Sequence, residues 1–256
     1  MGSSGPSNQA DAPAAVLSLK GEDLLLPRLD CAQNTSCPAA VGELVTYSSL
    51  GVRYCTASLV APDLVLTASH CVPWENVTRA NSVIGGCWVR WPAVKGNENR
   101  GEIIPCSAIA EASVLSSRAE DLVMPDFAFV RLRRPSSRKA LPIQAPTSGG
   151  ENPKIRESIV LYGVTPDTPK HLIRRHECIR DDAFPLMVKK AQPGQTLIMP
   201  GCPAELGHSG GPLLANDGAI LGVMSLIEFR DPTSNSSSGA IAIGTRVSLV
   251  PLPGSR

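Results

Sequence analysis

The chain has 256 residues, 43% of them hydrophobic, enough for one large folded domain or two small ones with a sizeable core. Its formal charge of +1 gives no electrostatic basis for binding nucleic acid or an anionic membrane, and no apolar run approaches the length of a membrane span. With 22 glycines, 23 prolines and only 4% aromatic residues, the composition predicts many turns and short strands rather than long helices.

Residues 1–5 read as a tag remnant on a mature chain whose export signal has been removed. The whole of 1–38 reads as a Pro-, Ala- and Ser-rich extended arm, tied down by Cys31 and Cys37. Short β-type runs then follow at 42–47, 53–60, 64–67, 82–91, 102–108 and 127–132, separated by turn residues. Segment 133–150 is basic, polar and Pro-rich and reads as a linker, with Arg131, Arg133 and Arg134 at a solvated strand end. A second series occupies 158–164, 172–179, 196–199, 212–215, 220–226 and 240–247, interrupted by a Ser-rich loop at 231–239. No long-period repeat is visible, and regular short strands of this kind favour barrels or sandwiches. Eight cysteines, with no Cys-x-x-Cys of the metal-binding type, point to an oxidising compartment and up to four disulfides.

Chemistry concentrates at two places. Leu66-Thr67-Ala68-Ser69-His70-Cys71 ends an apolar, β-branched run with a histidine, and Gly207-His208-Ser209-Gly210-Gly211-Pro212 sets a serine in a glycine-rich turn. A serine hydroxyl needs a base to become a nucleophile, and histidine serves near neutral pH. The two stretches therefore read as base and nucleophile of one acyl-transfer site. Gly207 lets the turn adopt a conformation few residues tolerate, so that its N–H and that of Ser209 can converge on an oxyanion. Cys71 can pair back to Cys55, closing a loop of about 16 residues that would contribute roughly 3 kcal/mol. A carboxylate must orient the imidazole. Asp126, at the head of an apolar strand, fits best, with Asp121 and then Asp63 as competitors.

Metal chemistry is not indicated. His171 and His176 do not form His-Glu-x-x-His and read as surface histidines, and no cofactor loop is present. Gly-x-Ser-x-Gly also marks α/β-hydrolases, but that order needs a histidine after the serine, and none follows Ser209.

The stretches 66–71, 126–132, 207–213 and Gly222-Val223-Met224-Ser225, in the order His, Asp, Ser, resemble the chymotrypsin-like (trypsin-fold) serine peptidases over about residues 40–250. The resemblance implies an all-β fold of two six-stranded antiparallel β-barrels with the active site in the cleft between them. The first barrel, 39–135, would carry His70 and Asp126, and the second, 136–256, would carry Ser209. Ser209 would attack the scissile carbonyl, His70 would move its proton, and Asp126 would hold the imidazole. Gly207 and Ser209 N–H groups would form the oxyanion hole. Ser225 would line the cleft and bond near the Asp126 carboxylate, and Ser225, Leu226 and Ile227 would offer an edge to the substrate main chain. Pro203 or Ala204 would form the pocket floor, with Ile227 and Ala242 as walls, giving a narrow apolar pocket for small or medium side chains. Glu205 and Glu228 are the acids able to charge it. The expected bridges are Cys55–Cys71, Cys178–Cys202, Cys87–Cys106 and Cys31–Cys37.

The resemblance further implies a secreted or periplasmic enzyme acting on protein or peptide substrates, with no cofactor and no metal. Two departures stand out. His208 occupies the place where the digestive and clotting branch has an aspartate that receives a newly cut N-terminus. The usual cleavage sequence is also missing ahead of His70; Val83-Ile84-Gly85-Gly86 lies after it. Activation by N-terminal insertion is therefore not expected. The alternative is a protease-fold binding or regulatory protein with weak or no catalysis.

Overall fold

The computed structural model describes residues 28–30, 37–49, 51–74, 84–93, 101–113, 125–145, 156–167, 170–181, 195–229, 240–247 and 253. In chain order the strands are β1 (Arg28–Asp30), β2 (Val41–Ser48), β3 (Gly51–Ala61), β4 (Leu64–Thr67), β5 (Cys87–Trp91), β6 (Glu102–Ala112), β7 (Ala128–Leu132), β8 (Arg156–Asp167), β9 (Lys170–Asp181), β10 (Thr196–Pro200), β11 (Pro212–Leu214), β12 (Ile220–Phe229) and β13 (Ala240–Arg246). The Ser-rich stretch 231–239 and Asp121 lie outside the described residues.

The all-β expectation holds. Strands β2-β3-β4-β7-β6-β5 close into a six-stranded barrel. The second sheet runs β1-β9-β8-β11-β12-β13-β10. Its six strands β8 to β13 pair antiparallel, and β10 packs back beside β9, so this sheet also curls into a barrel. Strand β1 was not anticipated. It lies in the N-terminal arm and joins β9 in parallel, Leu29 opposite Ile173.

Two interior clusters and one shared cluster explain the layout. Leu44, Leu59, Val65, Val89, Trp91, Ile104 and Val130 fill the first barrel. Ile159, Leu161, Leu197, Met199, Leu213 and Met224 fill the second. Between them Val41, Leu66 and Phe129 meet Tyr162, Val164, Ile173 and Val223. Strands β2, β4 and β7 thus bury apolar side chains on both faces, one toward their own barrel and one toward its neighbour, which is why their sequences read as near-continuous apolar runs. The buried charged residue among these strands is Glu43 of β2, which accepts from Arg90 Nε of β5 at 2.9 Å, while Arg131 of β7 is half exposed.

Segment 133–145 is no free linker. Arg138 is buried, donating to Ala39 and Pro92 carbonyls at 2.8 and 2.9 Å and facing Glu102. Ile143 bridges to Ile220, so the connection straps the two halves together. A basic residue inside a polar stretch reads as solvated until its partners, here from distant strands, are known.

The bridges Cys55–Cys71, Cys87–Cys106 and Cys178–Cys202 form as expected. Cys37 is also disulfide-bonded, while Cys31 lies outside the described residues. Among the described residues no helix is long and apolar enough to cross a membrane.

Candidate active site

His70 is carried on one 3-10 turn, Ser69–Cys71, directly after β4. Several contacts fix this turn. Cys71 is bridged to Cys55 in β3, Thr46 Oγ1 donates to the Cys71 carbonyl at 3.1 Å, and Trp74 Nε1 donates to the Ser69 carbonyl at 2.9 Å. The Arg53 guanidinium donates to the His70 carbonyl. The imidazole is left 14% exposed, so it has access to solvent from a rigid mount.

Asp126 is fully buried just ahead of β7. Its Oδ1 accepts the His70 backbone N–H at 3.1 Å, and Oδ2 lies 2.8 Å from His70 Nδ1. A buried carboxylate without a proton can only accept, so Nδ1 carries the hydrogen and the Nε2 lone pair faces away, free to take a proton. The second barrel supports this acid. Thr245 Oγ1 of β13 accepts the Asp126 N–H at 2.8 Å, and Ser225 Oγ lies 3.0 Å from Thr245 Oγ1. Ser225 reaches the Asp126 main-chain carbonyl, at 3.5 Å, and not its carboxylate. A register irregularity between Met224 and Leu226 falls at Ser225, whose hydroxyl lies within reach of Thr245 on β13. The competitor Asp63 is half exposed and pairs with Arg131 at 3.2 Å.

The serine turn packs on the histidine's approach. Gly210 adopts φ +79°, and a Cβ there would stand 2.8 Å from the Ala68 nitrogen and overlap Thr67 Oγ1. The backbone beside Ser209 therefore touches the residues that lead into the His70 turn. Ser209's carbonyl accepts the Thr56 N–H at 2.8 Å, and Gly210 N–H donates to Met224 at 2.7 Å. Gly207 adopts φ +91°, and its carbonyl accepts from Thr56 Oγ1 at 2.8 Å. Among the described residues, neither the Gly207 nor the Ser209 N–H has a protein acceptor.

Sequence reasoning missed Thr56 and Thr245. Both are threonines within strands, an ordinary β-forming choice, so neither carries a local signal. His176 also differs from expectation. It is half buried and its ring lies 5.0 Å from that of His208, which is itself fully buried.

The stretch ahead of Ser209 turns twice, with Cys202 N–H donating to Met199 and Ala204 N–H to Cys202. Ala204 is buried in one apolar cluster with Met199, Met224 and Ala242, against which Ile227 packs, while Pro203 is half buried. Leu226 pairs with Ile243 and Ile227 with Ala242 across β12 and β13. Glu205 turns elsewhere, with Oε2 3.3 Å from both Arg174 and Thr165 Oγ1. The side chain of Glu228 lies outside the described residues. Cys55, His70 and Cys71 cluster within 4.8 Å, but the two sulfurs are joined to each other and offer no thiolate to a metal.

The trypsin family profile matches residues 32–250. The chain belongs to the trypsin family. Solved structures with the same fold include the thermostable serine protease AL20 from an extremophilic microorganism, 17% identical, covering 81% of this chain and 91% of that one with a TM-score of 0.53. A scabies mite inactivated protease paralogue is 20% identical, covers 82% and 90%, and has a TM-score of 0.58. HL collagenase is 18% identical, covers 82% and 89%, and has a TM-score of 0.58. No curated protein matches the chain. For this trypsin-family chain, likeness at such identities speaks to fold, and activity has to be argued from its own side chains.

Proposed function

We propose that the protein is a secreted serine endopeptidase that cleaves peptide bonds through an acyl-enzyme. The observation that carries the reading is the 2.8 Å contact between His70 Nδ1 and the buried Asp126 Oδ2, on a turn against which the Ser209 loop packs. Ser209 Oγ adds to the substrate carbonyl while His70 Nε2 takes its proton. The negative oxygen settles on the Gly207 and Ser209 N–H groups. Collapse expels the amine, which leaves with the proton from His70, and water then repeats the sequence to free the acid. Asp126 holds the tautomer and stabilises the transient imidazolium.

The substrate side is built from Pro203, Ala204, Ser225, Leu226 and Ile227. The apolar packing of Ala204, Ala242 and Ile227, with Glu205 engaged by Arg174, supports a narrow, uncharged pocket for small side chains. The disulfides support an extracellular or periplasmic setting. We further read residues 39–135 and 136–256 as the two barrel units, and His208 in place of an acid as evidence against activation by an inserted N-terminus.

A fluorophosphonate probe separates this from a catalytically silent protease-fold binder. The wild-type protein is expected to take one label, lost in Ser209→Ala with melting unchanged, and a mixed peptide library is expected to show cleavage after small residues. Folded wild-type protein that takes no label overturns the proposal.

A further inference from the structure

We infer that His208 is a positioning residue, its uncharged imidazole acting as the lock that sets the Gly207 N–H in place for the oxyanion. This rests on the peptidase reading above and goes further by naming what holds the site open for catalysis.

The turn of residues 205–208 is closed at both ends by the same pair. His208 N–H donates to the Glu205 carbonyl at 3.1 Å, and Glu205 N–H donates to His208 Nδ1 at 3.0 Å. Gly207, at φ +91°, lies inside this ring, immediately before His208. Because Nδ1 accepts, it bears no hydrogen. The remaining ring proton sits on Nε2, which donates to Thr165 Oγ1 of β8 at 3.1 Å. Both ring nitrogens are therefore satisfied by a neutral ring, and only by one tautomer.

The niche is shaped for that ring. A Cβ on Gly163 would overlap the imidazole, so glycine is what allows β8 to come this close. The His176 ring covers it at 5.0 Å, and no part of His208 reaches solvent. A proton added at Nδ1 would face the Glu205 N–H, donor against donor. Burial first, then His176 and Arg174, hold the imidazole down to about 3, so it stays neutral at any pH at which a peptidase of this kind would work. Among the described residues, Glu205 and Arg174, paired at 3.3 Å, and half-buried His176 are the titratable or charged groups that face it. A lock of this kind needs no chain terminus and no counter-ion.

Asparagine places its side-chain oxygen at the same distance from the backbone as Nδ1 and can accept the Glu205 N–H, whereas leucine fills the space without accepting. The experiment compares wild type, His208→Leu, His208→Asn and Thr165→Val, using the rate of labelling by diisopropyl fluorophosphate, and kcat and KM for N-acetyl-alanine p-nitrophenyl ester. His208→Leu is expected to slow labelling and lower kcat by roughly 10²-fold with KM changed less than about twofold, the pattern of a lost transition-state donor. His208→Asn is expected to recover most of the rate, and Thr165→Val to lose a few-fold. A His208→Leu protein that labels as fast as wild type, or an Asn variant that is no better than Leu, overturns the inference while leaving the peptidase reading intact. Where His208→Leu does not fold, Asn activity within a few-fold of wild type together with a kcat-only loss in Thr165→Val supports it. Unchanged kcat in Thr165→Val, or an inactive folded Asn variant, then overturns it. Unlabelled wild type overturns the underlying reading instead.

Discussion

Thr56 shows how much of the candidate site depends on residues that do no chemistry. Its N–H holds the Ser209 carbonyl, its carbonyl accepts from Thr67 Oγ1, and its hydroxyl donates to the Gly207 carbonyl while accepting the Val164 N–H, each at 2.8 Å. One side-chain oxygen thus ties β3, β8 and the serine turn together. Thr56→Val keeps the shape and the strand preference but strands the Val164 N–H and the Gly207 carbonyl, at about 1–3 kcal/mol for each buried group left unsatisfied. Thermal melting should drop, and labelling of Ser209 should slow by about tenfold; an unchanged melt and labelling rate would show that water replaces the hydroxyl without loss. As candidates, His70 and Ser209 stood out through short motifs, and Asp126 through its place at the head of an apolar strand. Thr56, Thr165, Gly163 and Thr245 were not, because their roles exist only once β3, β8 and β13 are brought to the same place.

At the scale of elements, the hairpin of β3 and β4 with the turn behind it is a mount for one imidazole. β4 is buried along its whole length and pairs with β3 and β7, so its end point is fixed by the barrel, and the Cys55–Cys71 bridge fixes the turn that follows. With the cysteines 16 positions apart in the chain, removing the bridge as Cys55→Ala with Cys71→Ala should cost about 3 kcal/mol in the chain-entropy view. It should lower Ser209 labelling more than a distant double change, Cys87→Ala with Cys106→Ala, does at matched stability; equal labelling of the two would make the bridge a stability device alone. Strands of this kind were readable from 42 onward because β-branched runs between turn residues leave little choice. β1 was not, since three residues in a polar arm carry no period, and its parallel pairing with β9 joins segments far apart in the chain. The packing of the linker at 133–145 was hidden for a related reason: Arg138 is polar by sequence and buried by partners, and only the second fact decides where it lies.

For the molecule as a whole, site and stability share one junction. Asp126 leans on Thr245, Thr56 on Gly207, and the apolar cluster of Leu66, Phe129, Tyr162 and Val223 lies between the barrels, so parting them dismantles the site. His208 makes this junction sensitive to acid. In the unfolded chain its imidazole takes a proton below its ordinary value of 6.5, whereas in the fold it refuses one until about 3. Over that window the unfolded state binds the extra proton, so stability attributable to this residue is complete above 6.5 and is lost as the pH falls, at up to about 1.4 kcal/mol per pH unit. His176, whose value burial also lowers, adds in the same direction. Carboxylates contribute acid sensitivity of their own, so the informative quantity is a difference: unfolding free energy against pH for wild type minus that for His208→Asn. The difference should be flat from pH 8 to 6.5 and turn steadily against wild type between 6 and 4. Parallel curves would mean that the folded protein accepts a proton at His208 as readily as the unfolded chain does, which the closed ring of bonds around Glu205 and Thr165 forbids.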